Sequence, residues 1–98
     1  MAFIPVQNAD QFSILGTYSV DSGGTHSSAT IETAPYEDLT VTIYSEFEPQ
    51  VLHARLLEDS ILDVDRIGLG SISMHPKTGT VKISFKDNGG TQLCEFYR

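Results

Sequence analysis

The segment from Thr80 to Arg98 constrains the fold most. Val81, Ile83 and Phe85 alternate with Lys82, Ser84 and Lys86, the period of a strand with one dry face and one wet face. Asp87-Asn88-Gly89-Gly90 follows, a run that tolerates the positive φ angles of a tight hairpin. Thr91 to Tyr97 is then the return strand. With Asn88-Gly89 as the loop, Val81 faces Phe96, Ile83 faces Cys94, and Lys82 faces Glu95. With Gly89-Gly90 as the loop the register slides but parity holds. Either way Cys94 and Phe96 share a face with Val81, Ile83 and Phe85. This hairpin is the expected nucleus of a β-sheet core.

The rest of the chain repeats the strand period. Phe3-Ile4-Pro5-Val6 is a short apolar arm, held off a central position by Pro5. Phe12, Ile14, Tyr18 and Val20 alternate with Ser13, Thr17 and Ser19, with Gly16 as the weak point. In Thr25 to Thr33, Ala29 and Ile31 point one way, and Ser28, Thr30 and Glu32 the other. In Leu39 to Phe47, Val41, Ile43 and Phe47 oppose Thr40, Thr42, Tyr44 and Glu46. Gln50 to Asp65 reads two ways. As a strand, Leu52, Ala54 and Leu56 share a face. As a short helix around 50–60, Ala54, Leu57 and Ile61 form a stripe, with Pro49 in the first turn. Strand is preferred, because Glu58 and Asp59 sit badly near a helix C-terminus and every neighbour is a strand. Ile67 and Leu69 are out of phase with Ile72 and Met74, which predicts a bulge at Gly68 and Gly70. Across Pro76 to Gly79, the register that sets Ile72 against Ile83 and Met74 against Val81 keeps apolar with apolar.

These readings predict a single all-β domain over 1–98, a small antiparallel β-sandwich or barrel of six or seven strands. The 40% apolar content excludes a disordered chain. No window is apolar enough for a membrane span, and the first residues lack the pattern of a secretory leader. The lone cysteine excludes an internal disulfide framework and fits a reducing, cytoplasmic compartment.

The net charge is −7. From Met1 to Ala54 there is no Lys or Arg, whereas acids and bases balance from Arg55 onward. Nucleic acid is therefore an unsuitable partner, and a protein with a basic surface is the expected one. If the second and third strands pair, their outer faces and the loop between them carry Glu32, Tyr36, Glu37, Asp38, Tyr44, Glu46 and Glu48. Hydroxyls of Ser28, Thr30, Thr40 and Thr42 lie among them. Tyr36 and Tyr44 are the candidate anchors.

Little in the chain points to catalysis or to a cofactor. Asp63-Val64-Asp65-Arg66-Ile67-Gly68 opens like a calcium loop, but Ile67 and Met74 stand where oxygen ligands are needed. A cation held by Glu58, Asp59, Asp63 and Asp65 is the remaining metal option. His26, His53 and His75 have no ligand at metal-site spacing. Asp21, Ser22 and His26 have the residue types of a triad without a nucleophile-elbow pattern. Cys94 is expected to be a buried, inert thiol. The function expected is a non-enzymatic protein-binding domain, an inhibitor or decoy that docks an acidic face. The alternatives are an assembly subunit joined through strand edges and the Phe3–Val6 arm, or a calcium-dependent module using the 58–65 loop.

Overall fold

The computed structural model describes residues 3–6, 14–33, 38–45, 48–57, 60–87 and 89–98. Nine strands lie among them: β1 (Ile4–Pro5), β2 (Gly16–Ser22), β3 (Thr25–Thr33), β4 (Leu39–Tyr44), β5 (Gln50–Leu57), β6 (Ile61–Val64), β7 (Gly68–Met74), β8 (Val81–Lys86) and β9 (Gln92–Tyr97). From β2 to β9 each strand pairs antiparallel with the next. The ring closes where β9 returns to β2, with Ser19 opposite Tyr97, Val20 opposite Phe96 and Asp21 opposite Glu95. The result is an eight-stranded up-and-down barrel, with β1 as an extra strand.

Closure follows from the alternation read in the sequence. Tyr18, Val20, Ala29, Ile31, Leu39, Val41, Leu52, Ala54, Leu62, Val64, Ile72, Ile83, Phe85 and Phe96 are buried and form one cluster. Eight strands enclose a space that side chains can fill. Phe85 and Phe96 pack at the centre with ring centroids 5.0 Å apart. Tyr18 lies 6.2 Å from Phe96, and its hydroxyl donates to the Ile14 carbonyl at 2.7 Å. Ile14, only 2% exposed, is thereby held in the core cluster at the end of the barrel at which β2 begins.

Two expectations are corrected. The first concerns 50–65, whose described residues form two strands, β5 and β6, and no α-helix. They are joined through Ser60, whose φ is 57°. The strand reading of 50–57 stands: Leu52 and Ala54 point inward, and Val51, His53 and Arg55 outward. This hairpin and the two-residue β1 raise the count above six or seven. The second concerns the bulge at Gly68 and Gly70. β7 runs in register against β6 at both glycines and against β8 at Gly70. Gly70 instead faces inward, and a Cβ on it would lie 2.6 Å from Phe85 Cε1. The ladder irregularity falls between Phe85 and Lys86. Of the two registers left open for the last hairpin, that of the Gly89-Gly90 loop is observed from Lys82 to Phe85. Ile83 faces Phe96 and Phe85 faces Cys94, so Lys82 faces Tyr97 and reaches Glu95 diagonally at 3.7 Å. Asp87 Oδ1 accepts from the Gly89 and Thr91 amides, each at 2.9 Å, and fixes the turn.

The β7–β8 register is the expected one, with Ile72 against Ile83 and Met74 against Val81. β1 occupies the length of β7 that β6 does not reach, with Ile4 opposite Met74 and Pro5 opposite Ser73. An edge position suits proline, which lacks a ladder donor. Phe3 packs edge-on to His75 at 5.5 Å, under the Lys82 ammonium at 4.4 Å.

Candidate interaction face

Side chains that alternate outward on adjacent strands fall into rows across the barrel. One row crosses four strands: Tyr44 on β4, Ser28 on β3, Ser19 on β2 and Tyr97 on β9. At roughly 4.8 Å per strand, the two tyrosines stand about 14 Å apart with small hydroxyl residues between them. The next row is Thr42, Thr30 and Thr17, and beyond it Glu32 faces Thr40, which faces His53. On the other side, His26, Asp21 and Glu95 form a row. An open hollow of about 420 Å³ lies on this face, lined among others by Gly16, Thr17, Thr30, Glu32 and Thr33. Arg98 borders Gly16, with its Nη1 donating to the Leu15 carbonyl at 2.6 Å.

The β3–β4 pairing on which the acidic face depends is therefore present. It does not gather all the carboxylates. Glu32 and Asp38 lie near one end of the pair, while exposed Glu48 lies past the other. The separation along β4 from Thr40 to Tyr44 is roughly 14 Å. Asp38 is not a bare charge, since its Oδ2 lies 2.8 Å from His53 Nε2. Tyr44 is 42% exposed. Tyr36, Glu37 and Glu46 fall outside the described residues, as does Phe47.

Asp21, Glu95, Tyr97 and Ser19 join the face through closure, which sequence reasoning missed. The outward phase of Glu95 and Tyr97 was legible in the last hairpin, but their neighbour β2 was not. Asp21 and Glu95 put two carboxylates directly opposite each other, an unfavourable pairing offset by Lys82 beside Glu95. Burial raises the Tyr97 hydroxyl above its ordinary pKa, and its hydrogen bond to Glu95 and the charges of Glu95 and Asp21 push it further in the same direction. The tyrosine stays neutral and donates to the Glu95 carboxylate.

The other candidates do not assemble. Asp63 lies 3.9 Å from Arg55, and Asp65 lies 3.9 Å from His53. Glu58 and Asp59 are outside the described residues. No group of three or more potential metal ligands occurs among the described residues. Asp21 does face His26, but Ser22 Oγ donates to the Leu93 carbonyl at 3.3 Å rather than to a histidine. His75 Nδ1 accepts from the Lys77 and Thr78 amides. Cys94 is buried, and burial followed by the charge of Glu95 raises its thiol pKa, which disfavours the nucleophilic thiolate. No helix of the described residues is long and apolar enough to cross a membrane. Comparison of the chain with protein-family models, curated proteins and solved structures finds no match.

Proposed function

We propose that the chain is a non-enzymatic protein-binding domain that docks the outer face of β9, β2, β3 and β4 on a basic partner, as an inhibitor or decoy does. The observation that carries this reading is the Tyr44–Ser28–Ser19–Tyr97 row. Tyrosines separated by serines and threonines give large contact area at low entropic cost, with adaptable hydrogen bonding around it. The charge distribution supplies the polarity of the partner. β2, β3, β4 and β9 contain no Lys or Arg, so the face draws its Lys and Arg from its margins, where Lys82, Lys86 and Arg98 stand. Glu32 on the wall of the hollow suits an incoming Lys or Arg side chain. Assembly through strand edges has less support, because both sides of every strand from β2 to β9 are engaged in the barrel.

A photoreactive residue at position 44 tests the proposal, with position 69 on β7, across the barrel from β3, as the control. In the native host the Tyr44 position is expected to yield an adduct with a basic protein. Affinity for that purified partner is expected to fall with added salt, and further in Glu32→Lys and Tyr97→Ala. Adducts from position 69 alone, or affinity indifferent to salt and to both substitutions, overturn the reading.

A further inference from the structure

The two ends of the barrel are not alike. At one, Ile14 packs into the core cluster. The other, where the β2–β3, β4–β5, β6–β7 and β8–β9 turns gather, holds an open hollow of about 450 Å³. Val20, Ile43, Ile67 and Cys94 line it together with Leu93 and Arg66. A second hollow shares Ile67 and Leu93 and extends to Lys86. Leu93 is 41% exposed. An apolar floor of this volume with a few polar groups at its margin is the usual form of a small-molecule site, and barrel mouths are common places for one.

Arg66 stands at the margin of the first hollow, and Lys86 lines the second beside Asp87, in a chain of net charge −7. Among the described residues, neither Arg66 nor Lys86 makes an ion pair or hydrogen bond through its side chain. Arg66 also stands in a costly place. The β6–β7 turn is closed by the Ile67 amide on the Val64 carbonyl at 3.1 Å, and its third residue, Arg66, has φ 71°. That conformation favours glycine and penalises any side chain. A glycine would close the turn without strain but would remove the guanidinium from the mouth. Backbone strain of this kind gathers where a side chain is needed for something other than folding.

We infer that this end of the barrel binds a free small amphipathic anion, a carboxylate or sulfonate on a short apolar tail. The tail lies over Ile43, Ile67 and Leu93, and the headgroup meets Arg66. The site is separate from the docking face and does not depend on it.

Titration of the full chain with octanoate, followed by methyl NMR, tests the inference. Shifts are expected at Ile43, Ile67 and Leu93, with 1-octanol binding more weakly. Arg66→Gln keeps the strained backbone and removes the charge, and is expected to weaken octanoate about tenfold or more. Arg66→Gly is expected to weaken binding while raising the melting temperature, a combination that a purely structural role for Arg66 does not produce. Four results overturn the inference: no shifts at millimolar octanoate, shifts spread over the whole surface, equal binding of octanoate and octanol, or an Arg66→Gln variant that binds undiminished. Binding to anionic phosphatidylglycerol vesicles in the absence of octanoate shifts also overturns it, in favour of a lipid surface.

Discussion

Gly70→Ala adds one methyl group to the barrel, and the structure fixes what that methyl meets. Gly70 has an ordinary negative φ, so no backbone strain opposes the change. On chain entropy alone, alanine should stabilise the protein by about 0.4–1 kcal/mol. The new Cβ, however, would lie 2.6 Å and 2.8 Å from Phe85 Cε1 and Cζ and 2.7 Å from Ile83 Cγ2. Phe85 and Ile83 are both 0% exposed, so neither can swing into solvent. Overpacking in a close-packed core costs about 1–3 kcal/mol. The net expectation is a loss of about 1–2 kcal/mol, which for a domain of this size lowers the melting temperature by roughly 4–10 °C. Urea denaturation measures it as a lower midpoint at unchanged slope. Phe85→Leu in the same chain makes room for the methyl. The double-mutant cycle should therefore show a favourable coupling of about 0.5–2 kcal/mol. A neutral or stabilising Gly70→Ala, or strictly additive substitutions, would show that position 70 does not face Phe85 across the β7–β8 ladder.

Tyr18→Phe removes the hydroxyl that donates to Ile14, for a loss of about 1–2 kcal/mol at neutral pH read by urea midpoints. Burial raises the Tyr18 pKa, an effect that Arg98 partly opposes. The stability this group adds is fully present below its unfolded value near 10 and is lost as pH rises towards the higher folded value. Midpoints from pH 8 to 11 should fall less steeply in Tyr18→Phe than in the parent, with Cys94 and Tyr97 keeping some slope. Asp21→Asn relieves the carboxylate pair with Glu95 and should stabilise by a few tenths of a kcal/mol, more at low salt than at high. Arg66→Gly releases about 1–2 kcal/mol of left-handed strain against about 0.4–1 kcal/mol of added chain entropy. A net gain of about 0.5–1 kcal/mol is expected in the same denaturation assay.

The alternation of residue types carried the fold class and most of the inward set, because parity along a strand survives errors of register. Parity alone puts Cys94 and Phe96 inside, whichever register the last hairpin takes. The β5–β6 hairpin was not legible. Its junction contains Ser60 at positive φ and no glycine, proline or asparagine to mark it, so two strands read as one ambiguous segment. The misplaced bulge has a similar origin. Gly70 looked like a break in phase, whereas it is an inward position emptied to admit Phe85. Closure was illegible for a different reason. The pairing of Asp21 with Glu95 joins residues far apart in sequence, and no local pattern encodes it. Dividing the chain into an acidic and a balanced half could not foresee a ring that sets Glu95 and Tyr97 beside β2. It also missed His53, which the β4–β5 register brings to Asp38.

The interaction face exists only if the ring closes, and closure is tested at one seam. Proton NMR of the labelled chain should show cross-strand contacts between β2 and β9 in the register Ser19–Tyr97, Val20–Phe96 and Asp21–Glu95. The amides bonded across that seam should exchange slowly, like those of the β3–β4 ladder. A seam with no such contacts, or with amides exchanging as fast as those of open chain, would leave an open sheet with Tyr44 and Tyr97 on unrelated surfaces.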